Sequence, residues 1–416
     1  MQRVRRVPIW ISFVLLLALV VVGPSTAGEP AGDAGHVDKD VAGKVHRGKA
    51  YCPYAGRGYP TRVFWGDTHL HTSLSVDAGT FGNRLGLEDA YRFARGEEVM
   101  SATGQPAKLS RPLDFLVIAD HSDGMGFFPK LLAGDPYVTS KEEGRRWKRM
   151  IDEGQGVDAA LEIIGMVSQG TFPWPTNDPG LAKPVWADCV KTAEAYNDPG
   201  RFTAFIGYEW TSLVKGNNLH RVVIYRDDGD KAGRTLPYTM ADSTDPVDLW
   251  KALAAYEEKT GGSVLAIPHN GNLSNGMMFA ETGNDGKPID AAYAKERARW
   301  EPVMEATQIK GDGETHPLLS PDDEFADYET WAFGNLDLSE KKTPDMLPYE
   351  YARSALRLGL QLEKRLGTNP YKFGMIGSTD SHTALMAVEE ECFFGKHSGG
   401  EPGPDRWKHL FMDSPN

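Results

Sequence analysis

Cysteine is scarce in this chain of 416 residues. The three cysteines, Cys52, Cys189 and Cys392, are far apart and form no Cys-x-x-Cys pair. A zinc site built from thiolates is therefore excluded, whereas one disulfide beside one free thiol is compatible with an oxidising compartment. We expect Cys52 to pair with Cys392, because these two flank the part of the chain that carries its motifs.

The sequence also lacks the local signatures of several enzyme classes. It contains no Walker-type glycine loop, no dinucleotide-binding fingerprint and no Ser-His-Asp sequence motif. Neither a nucleotide cradled by a glycine loop nor a serine nucleophile is therefore indicated. Internal repeats and low-complexity tracts are absent as well.

The N-terminus has the pattern of a secretion signal. Three arginines within the first six residues precede an apolar stretch at 9–22, and small residues follow at 25–27. The stretch is shorter than the roughly 20 apolar residues of a membrane-spanning helix, which favours a cleaved signal peptide, residues 1–27. We expect an exported protein, periplasmic or secreted, without stable membrane insertion after cleavage. An N-terminal membrane anchor is the alternative.

Acidic residues dominate the charge. The chain has 58 acidic and 45 basic residues, a formal net charge of −13. Removal of the signal takes three arginines and no acid, which leaves 42 basic residues and a net charge of −16. Such a surface repels nucleic-acid backbones and anionic membranes, so we expect no bulk binding to either.

Residues 28–50 are rich in Gly, Ala, Asp and Lys without apolar periodicity, which predicts a flexible lead-in. Residues 51–416 have the pattern of a single domain in which short apolar strands alternate with helices. The predicted strands are 114–119, 202–208, 221–225, 263–267, 303–309 and 372–376. The predicted helices are 87–94, 142–151, 159–169, 186–196, 246–258, 291–300 and 349–366.

This alternation predicts an α/β fold with a parallel sheet. Polar residues follow the strand ends all the way from residue 69 to residue 382. A doubly wound open sheet, the alternative, would concentrate them near one switch point. We therefore expect the sheet to close into a barrel whose carboxyl face carries the site. The long segments 122–200 and 270–345 are expected to build a wall or lid over its mouth.

Two histidines stand two residues apart at the end of the first apolar run, FWGDTHLH at 64–71. Side chains at i and i+2 of a strand point to the same face, so His69 and His71 can reach one metal ion together. Other short hydrophobic runs are also followed by ligand types, and these are His121, Glu209, His269 and Asp380-x-His382. Five strand ends therefore converge on the chemistry of a metal site.

The ordered set His69-x-His71, Asp77, His121, Glu209, His220, His269 and Asp380-x-His382 resembles the metal-binding motifs of the PHP (polymerase and histidinol phosphatase) superfamily. More narrowly, GDTHLHTS at 66–73, QIKGDGETHP at 308–317 and SPDDEF at 320–325 resemble the DUF3604 family, a branch named for its unknown function. The resemblance spans roughly 61–395. It implies a distorted (β/α)7 TIM-like barrel of PHP type, with long loop insertions over its C-terminal face.

The resemblance also implies two or three divalent metal ions. For the first ion it implies the ligands His69, His71, Glu209 and Asp380. Glu209 would bridge to the second ion, which His220 and His269 would also bind. The third ion would be bound by Asp77, His121 and His382. Imidazole and carboxylate ligands without thiolate suit Mn, Zn or Fe. Aspartate at position 77, where some relatives have histidine, favours manganese or iron over zinc at the third position.

Several of these residues have a structural alternative. His121 could be a hydrogen-bonded core or helix-capping histidine, and Asp380 with His382 could form a turn. Glu209 could be a buried salt-bridge partner, and His220 could simply begin a strand. The coincidence of nine positions in family order favours the metal site over these separate explanations.

Asp67 and Asp120 each adjoin a proposed histidine ligand. Either they accept a ring N–H and orient that ligand, or they form structural salt bridges, since neighbouring strand residues point to opposite faces.

The segment from Lys310 to His316 follows a predicted strand. Lys310 could neutralise a substrate oxyanion, and His316 could donate a proton to a leaving group. The structural alternative is a lid loop held by Pro317 and Pro321. We expect Glu209, Lys310 and His316 to be the catalytic residues.

Closely spaced divalent ions activate a bridging water and clamp phosphoryl oxygens. The sequence therefore predicts an exported metal-dependent hydrolase that cleaves a phosphate mono- or diester of a small molecule by attack of a metal-bridged hydroxide. One alternative is an amidohydrolase-like enzyme that cleaves a C–N or C–O bond. In those enzymes a strand-end lysine usually bridges the ions, a role that falls to Glu209 here. A non-catalytic metal-binding protein is the other alternative.

Overall fold

The computed structural model describes residues 62–386 and 402–404. The predicted signal peptide, the lead-in and the expected Cys52–Cys392 pair lie outside the described residues. Cys189 is a free, half-buried thiol. From Phe64 onward the described residues form one compact unit. No helix among the described residues is both long enough and apolar enough to cross a bilayer.

Short strands alternate with helices along this unit. The strands are β1 (Gly66–Leu70), β2 (Val99–Met100), β3 (Pro106–Ala107), β4 (Phe115–Ile118), β5 (Thr203–Phe205), β6 (Gly207–Trp210), β7 (Leu213–Val214), β8 (Asn217–Asn218), β9 (Arg221–Tyr225), β10 (Val264–Pro268), β11 (Val303–Gln308), β12 (Gly311–Asp312) and β13 (Gly374–Gly377). The strand predicted at 202–208 is divided, since β5 ends and β6 begins on either side of Ile206.

The helices occupy the intervals between the strands. They are α1 (Val76–Thr80), α2 (Leu87–Ala94), α3 (Phe127–Ala133), α4 (Pro136–Thr139), α5 (Glu142–Asp152), α6 (Gly156–Ser168), α7 (Pro179–Tyr196), α8 (Gly229–Ala232), α9 (Pro246–Thr260), α10 (Ala291–Trp300) and α11 (Ala352–Leu366). The helices predicted at 87–94 and 291–300 are confirmed at both ends. The helix predicted from residue 349 begins three residues later, because a 3₁₀ turn covers Leu347–Tyr349.

Capping chemistry accounts for the ends of α9. Its N-cap residue Asp245 accepts a hydrogen bond from the Val247 N–H at 2.9 Å, and Pro246 occupies the first helical position. The helix stops at Gly261, whose φ of +63° lies in the left-handed region that glycine adopts at low cost.

The longer strands lie in three small sheets, none of which closes into a barrel within the described residues. In the first sheet β4 lies between β1 and β5, and all three are parallel. In the second, β9 lies between β6 and β10 and is antiparallel to both. In the third, β11 pairs in parallel with β13 and antiparallel with β12. The prediction of a parallel sheet is therefore wrong for the second sheet, and the third sheet is mixed.

The reversal of β9 has a local cause. The connection between β6 and β9, residues 211–220, folds back as the β7–β8 hairpin and is too short for the crossover that a parallel pair requires. As a result the N-terminal end of β9 lies at the same edge as the carboxyl ends of β6 and β10.

Isolated backbone bridges join the edges of the sheets. Leu70, at the end of β1, pairs in parallel with Ser381, and His121 pairs in parallel with Glu209. These bridges bring the carboxyl ends of β1, β4 and β6 and the segment that follows β13 to one place.

The hydrophobic core lies away from the point where these strand ends meet. The largest core cluster packs the strands against α2, α7 and α9 around Trp186, Trp210 and Trp250. The segment 122–200, expected as a wall or lid, contains the helices α3 to α7. Its first four helices have a core of their own around Phe127 and Trp147.

Candidate metal centre

Two buried imidazoles from the end of β1 begin the site. The Nε2 atoms of His69 and His71 lie 3.2 Å apart, and neither side chain is exposed to solvent. Their Nδ1 atoms point outward, that of His69 to Glu305 Oε2 at 3.0 Å and that of His71 to Ser75 Oγ at 2.9 Å. Both rings therefore present Nε2 to a common centre.

Ser75 fixes the tautomer of His71. The Ser75 hydroxyl donates to Asp120 Oδ1 at 2.8 Å and accepts the His121 backbone N–H at 3.1 Å. Because a hydroxyl has one proton, its remaining lone pair must accept the Nδ1–H of His71. Burial, together with the charges of His382 and His121, lowers the pKa of His71 to about 3. His71 is consequently neutral, with the Nε2 lone pair facing inward.

Asp380 faces the same centre from beyond β13. Its Oδ1 lies 3.0 Å from His71 Nε2 and 3.3 Å from His69 Nε2. Its Oδ2 accepts a hydrogen bond from Gln308 Nε2 at 2.7 Å and forms an ion pair with Lys310 Nζ. The backbone φ of Asp380 is +49°, an unusual conformation for a residue with a side chain and one that clusters at functional sites.

Glu209, from β6, lies between two groups of histidines. Its Oε1 is 2.7 Å from both His220 Nδ1 and His269 Nε2. Its Oε2 is 2.7 Å from His121 Nδ1 and 3.4 Å from His71 Nε2. Burial opposes ionisation of Glu209, but the charges of His121, His220 and His269 outweigh it and hold the pKa of this carboxyl well below its usual range.

Asp77 forms a further group with two histidines. It lies in the first turn of α1, and its Oδ2 is 3.0 Å from His121 Nε2 and 2.9 Å from His382 Nε2. The His382 Nδ1 lies 2.7 Å from the Asp380 backbone carbonyl. A carbonyl can only accept a hydrogen bond, so this Nδ1 carries a proton.

The donor set fits divalent cations. Nε2 of His69, Nε2 of His71 and Oδ1 of Asp380 lie 3.0 to 3.3 Å from one another, so two imidazoles and a carboxylate converge on one point. Asp380 Oδ1 and Glu209 Oε2 are both buried, and the atoms that face them are imidazole nitrogens, at 3.0 Å from His71 and 2.7 Å from His121. In four overlapping groups, ligand atoms lie within 4.8 Å of one another, and these groups are His71, Asp77, His121 and His382; His69, His269 and Glu305; His69, His71 and Asp380; and His121, Glu209 and His220.

The electrostatics also call for positive charge. Burial alone would lower the pKa of His69, but the Asp380 and Glu305 carboxylates outweigh it and raise that pKa well above its usual value. Burial is likewise overcome at His121, where the carboxylates of Glu209 and Asp77 raise the pKa well above its usual value. A cation held by these carboxylates would take the place of such protons.

All nine predicted ligands lie in this one cluster. The alternative that His220 simply begins a strand describes its position correctly as well, since β9 starts at Arg221. The two descriptions agree because β9 runs antiparallel to β6 and β10. Its start lies at the edge where those two strands end, so His220 lies beside Glu209 and His269. The alternative of a buried salt-bridge partner for Glu209 is compatible with the same contacts, since its Oε2 lies 2.7 Å from His121 Nδ1.

The predicted catalytic segment is only partly brought to the cluster. The ammonium of Lys310 contacts the Asp380 carboxylate, a proposed ligand, so Lys310 lies at the cluster. The contacts of His316 are elsewhere: its Nδ1 accepts the Leu318 N–H at 3.2 Å, and its ring packs against Tyr351 with centroids 5.6 Å apart. Within the described residues no contact joins His316 to a proposed ligand.

Neither expectation for Asp67 and Asp120 is met. Asp67 accepts backbone N–H groups from His69 at 2.8 Å and Thr379 at 3.3 Å, and Asp120 accepts the Thr72 N–H at 2.7 Å. The two carboxylates therefore fasten the loops after β1 and β13 and do not accept ring N–H groups. Asp120 still acts on His71, through the Ser75 hydroxyl.

Sequence reasoning missed Glu305 and Gln308, which contact His69 and Asp380. Both lie on β11, three residues apart, a spacing that places side chains on opposite faces of a regular strand. The pairing of β11 with β13 shifts between Glu305 and Thr307, and such a bulge turns two side chains three apart to one face. In the sequence, the one sign that Glu305 is a site residue is its place inside a largely apolar run, VMEATQ.

The described chain is thus an α/β protein with a buried cluster of histidines and carboxylates, in which several groups could hold a metal ion. It belongs to the DUF3604 family, described as a protein of unknown function, whose family model matches residues 59–414. The family resemblance of the 66–73 and 308–325 segments is thereby confirmed. No curated protein matches the chain.

Proposed function

We propose that this protein is a metal-dependent phosphoesterase related to the PHP superfamily. It would hold two or three divalent ions, Mn, Zn or Fe, and hydrolyse a phosphate mono- or diester of a small molecule. In keeping with the predicted signal peptide, we propose that it acts outside the cytoplasm.

The position of Glu209 carries the proposal. One oxygen faces His220 and His269 at 2.7 Å, and the other faces His71 and His121 at 3.4 and 2.7 Å. A carboxylate whose two oxygens face separate histidine groups is built to be shared by two ions. Divalent ions held in this way supply an activated water and neutralise phosphoryl oxygens in hydrolysis of phosphate esters.

The chain's own residues would set the geometry of that reaction. Gln308 and Lys310 occupy Oδ2 of Asp380, so that only Oδ1 is presented to the centre. The flexible stem of Lys310 also allows its ammonium to meet a phosphoryl oxygen once substrate is bound. His316 carries its proton on Nε2, because Nδ1 accepts the Leu318 N–H, and it would reach a leaving group only after movement of its loop.

The strand arrangement supports a PHP-type (β/α)7 barrel as the proposed fold. One centre receives side chains from the carboxyl ends of β1, β4, β6 and β10, from the start of β9 and from the segment after β13. Backbone pairing joins β1 to the segment after β13, the end of β4 to β6, and β6 to β9. An open doubly wound sheet would place ligands at one switch point instead.

An amidohydrolase-like reaction is less well supported. Such enzymes usually bridge their ions with a strand-end lysine, whereas in the described cluster the bridging position is held by Glu209 and Lys310 pairs with Asp380.

The test is turnover by protein without residues 1–27, reconstituted separately with Mn, Zn and Fe. Substrates would be nitrophenyl phosphate mono-, di- and triesters and phosphonates, with carboxylic esters and anilides as the amidohydrolase arm. Glu209→Gln removes the charge that holds two ions together, so we expect phosphoester turnover to fall at least 100-fold, on the order of 3 kcal/mol in the barrier.

The matched control is Glu281→Gln, which alters an exposed pair with Arg365 and should leave turnover unchanged. Circular dichroism would show that both variants are folded. If Glu209→Gln binds its full complement of metal and retains turnover within a few-fold of the parent, the bridged-ion phosphoesterase is refuted. Cleavage of anilides but not of phosphate esters would favour the amidohydrolase-like reaction.

A further inference from the structure

Four neutral side-chain amides are buried beside the proposed centre, and none of them is a proposed ligand. Burial of an amide costs free energy unless its polar atoms are hydrogen-bonded, so the partners of these four amides decide what they hold in place. They are Asn218, Asn270, Asn272 and Gln308, each no more than 7% exposed, and we call them the amide network.

Gln308, the last residue of β11, lies at the centre of the amide network. Its Nε2 donates to Asp380 Oδ2 at 2.7 Å and to Asn270 Oδ1 at 2.6 Å. Its Oε1 accepts the Lys310 backbone N–H at 2.6 Å. Both amide protons and the carbonyl oxygen therefore have partners. This fixes the orientation of the amide, because a flipped side chain would place an NH₂ group against a backbone N–H.

Asn270 connects Gln308 to the second part of the centre. It follows His269, a proposed ligand of the second ion, and its φ of +49° lies in the left-handed region, which asparagine adopts more readily than most residues. Asn218 Nδ2 donates to the backbone carbonyls of His269 at 2.9 Å and of Asn270 at 3.3 Å. The turn after His269 is thus held at its backbone by Asn218 and at the Asn270 side chain by Gln308.

Asn272 connects the same turn to Lys310. Its Nδ2 donates to the backbone carbonyl of Lys310 at 3.0 Å and to that of Trp331 at 3.2 Å. The Lys310 N–H is held by Gln308, and its ammonium pairs with Asp380. The amide network therefore joins the turn after His269, the Asp380 carboxylate and the backbone of Lys310.

We propose that Gln308 is a positioning residue that couples the first ion to the second. Its direct hydrogen bond holds Asp380, a ligand of the first ion, so that Oδ1 faces the His71 Nε2. Its hydrogen bond to Asn270 holds the turn from which His269 reaches the second ion. One amide thereby sets the positions of ligands that serve two ions. The inference rests on the metal-binding part of the proposed function and is independent of the bond that is cleaved.

The third ion provides an internal reference. Both protons of the Gln308 amide are donated to Asp380 and Asn270, so none is left for Asp77, the carboxylate proposed for the third ion. Asp77 instead faces the Nε2 atoms of His121 and His382. A change at Gln308 should therefore act on the first and second ions and leave the third unchanged.

The test is metal binding by Gln308→Met, measured without substrate. Methionine has a similar length but no N–H to donate. Loss of a group that orients a ligand typically weakens metal affinity 10–100-fold, and we expect this for the first and second ions. Titration calorimetry with Zn²⁺ would measure the stepwise affinities. Ring ¹⁵N resonances of His69, His269 and His382 during the same titration would show which ion is affected.

Asn270→Gly tests the coupling separately. Glycine adopts the left-handed conformation at low cost, so the variant removes the side chain without straining the turn. We expect weaker binding of the second ion, with the first ion within a few-fold of the parent. In the double variant with Gln308→Met, loss at the second ion should be no larger than in Gln308→Met alone, because both changes remove the same hydrogen bond.

The matched control is Gln105→Met. Gln105 lies between β2 and β3, where its backbone N–H donates to Ser101 Oγ and its carbonyl accepts the Ser101 N–H, so all three affinities should be unchanged. Circular dichroism would show that the variants are folded. If Gln308→Met does not fold, Asn270→Gly still tests the coupling at the second ion.

Three results would overturn the inference. Unchanged affinities in Gln308→Met would mean that the amide orients neither ligand. Weakening of the first ion alone would restrict its role to Asp380 and refute the coupling. Equal weakening of all three ions would make the role generally structural. If the expected affinity changes occur in a protein that cleaves no phosphate ester, the proposed reaction is refuted and the coupling stands.

Discussion

Oδ1 of Asp380 lies 3.0 Å from Nε2 of His71, although the two residues belong to the first and last motifs of the chain. The backbone around them is paired as well, since the His71 N–H donates to the Ser381 carbonyl at 2.9 Å and the Ala384 N–H donates to the His71 carbonyl at 3.0 Å. The segment after β1 and the segment after β13 thus meet at the proposed centre, so a metal ion bound there would add to the stability of the fold.

Removal of metal should therefore destabilise the protein. Each ion that binds only the folded chain contributes about 2.7 kcal/mol when its free concentration is 100 times Kd. We expect a chelator to lower the melting temperature and Mn²⁺ or Zn²⁺ to restore it, as followed by calorimetry. A melting temperature that does not respond to chelation of metal-loaded protein would contradict this coupling.

Asp77→His should shift metal preference toward zinc. The Asp77 oxygen lies 2.9 to 3.0 Å from two imidazole nitrogens, and replacing a hard carboxylate with a third imidazole suits zinc better than manganese. The measurement is the ratio of Zn to Mn retained from an equimolar mixture, with the exposed Asp230→His as the control. An unchanged ratio would show that Asp77 does not ligate.

Lys310→Met should separate metal binding from catalysis. The ammonium competes with cations for the Asp380 carboxylate, so its removal should tighten metal binding. Turnover should nevertheless fall, by about 100-fold if Lys310 stabilises the developing charge as one such donor typically does. Lys310→Arg is the charge-preserving control. Weaker metal binding in Lys310→Met would mean that the lysine mainly orients Asp380.

Ser75→Ala should weaken metal binding through His71. The variant removes the hydroxyl that links Asp120 to His71 Nδ1, and loss of such support typically costs 10–100-fold in affinity. Ser73→Ala, two residues away, is the control, since Ser73 contributes a backbone N–H to Leu85 at 2.9 Å. Equal metal affinities in the two variants would rule out the proposed tautomer control.

Glu301 should make stability depend on pH. It is buried and accepts hydrogen bonds from Arg221 Nε at 3.0 Å and Trp250 Nε1 at 2.9 Å. It also forms an ion pair with Arg297, whose Nε lies 3.1 Å from Glu301 Oε2. Burial opposes its ionisation, but Arg221 and Arg297 outweigh burial and lower the pKa of Glu301. Its contribution is therefore present above the unfolded-state pKa of about 4.3 and is lost as the pH falls through the lower folded-state pKa.

Glu301→Gln should lower the free energy of unfolding at pH 7 by roughly 3–5 kcal/mol, because it leaves two buried guanidinium groups without their carboxylate. In the same variant, the free energy of unfolding should fall less steeply as the pH is lowered into the acid range. Denaturant titrations from pH 3 to 7 would measure both effects. Glu281→Gln, in an exposed pair with Arg365, should change stability by less than about 1 kcal/mol. Similar losses in the two variants would contradict the role of burial.

Much of the local structure could be read from the sequence. The Asp245-Pro246 pair predicted the start of α9, because capping and proline act within one turn. The helices at 87–94 and 291–300 were predictable for the same reason, since apolar periodicity is a property of the segment itself. The division of the strand at 202–208 was not, because it depends on which neighbours each half pairs with.

By itself the sequence determined which residue types stand at the strand ends, and the order of His69, His71, Asp77, His121, Glu209, His220, His269, Asp380 and His382 sufficed to predict one cluster. The tertiary structure decided how that cluster is oriented. The reversal of β9 brings His220 to the correct edge, and the bulge in β11 turns Glu305 and Gln308 to the same face. The contact between Lys310 and Asp380 joins two segments that are far apart in the sequence, so no local pattern predicts it. Register, strand direction and long-range hydrogen bonds arise from pairing between distant segments, whereas the ligand motifs are local, and this is why the sequence revealed the ligands and only the fold revealed what orients them.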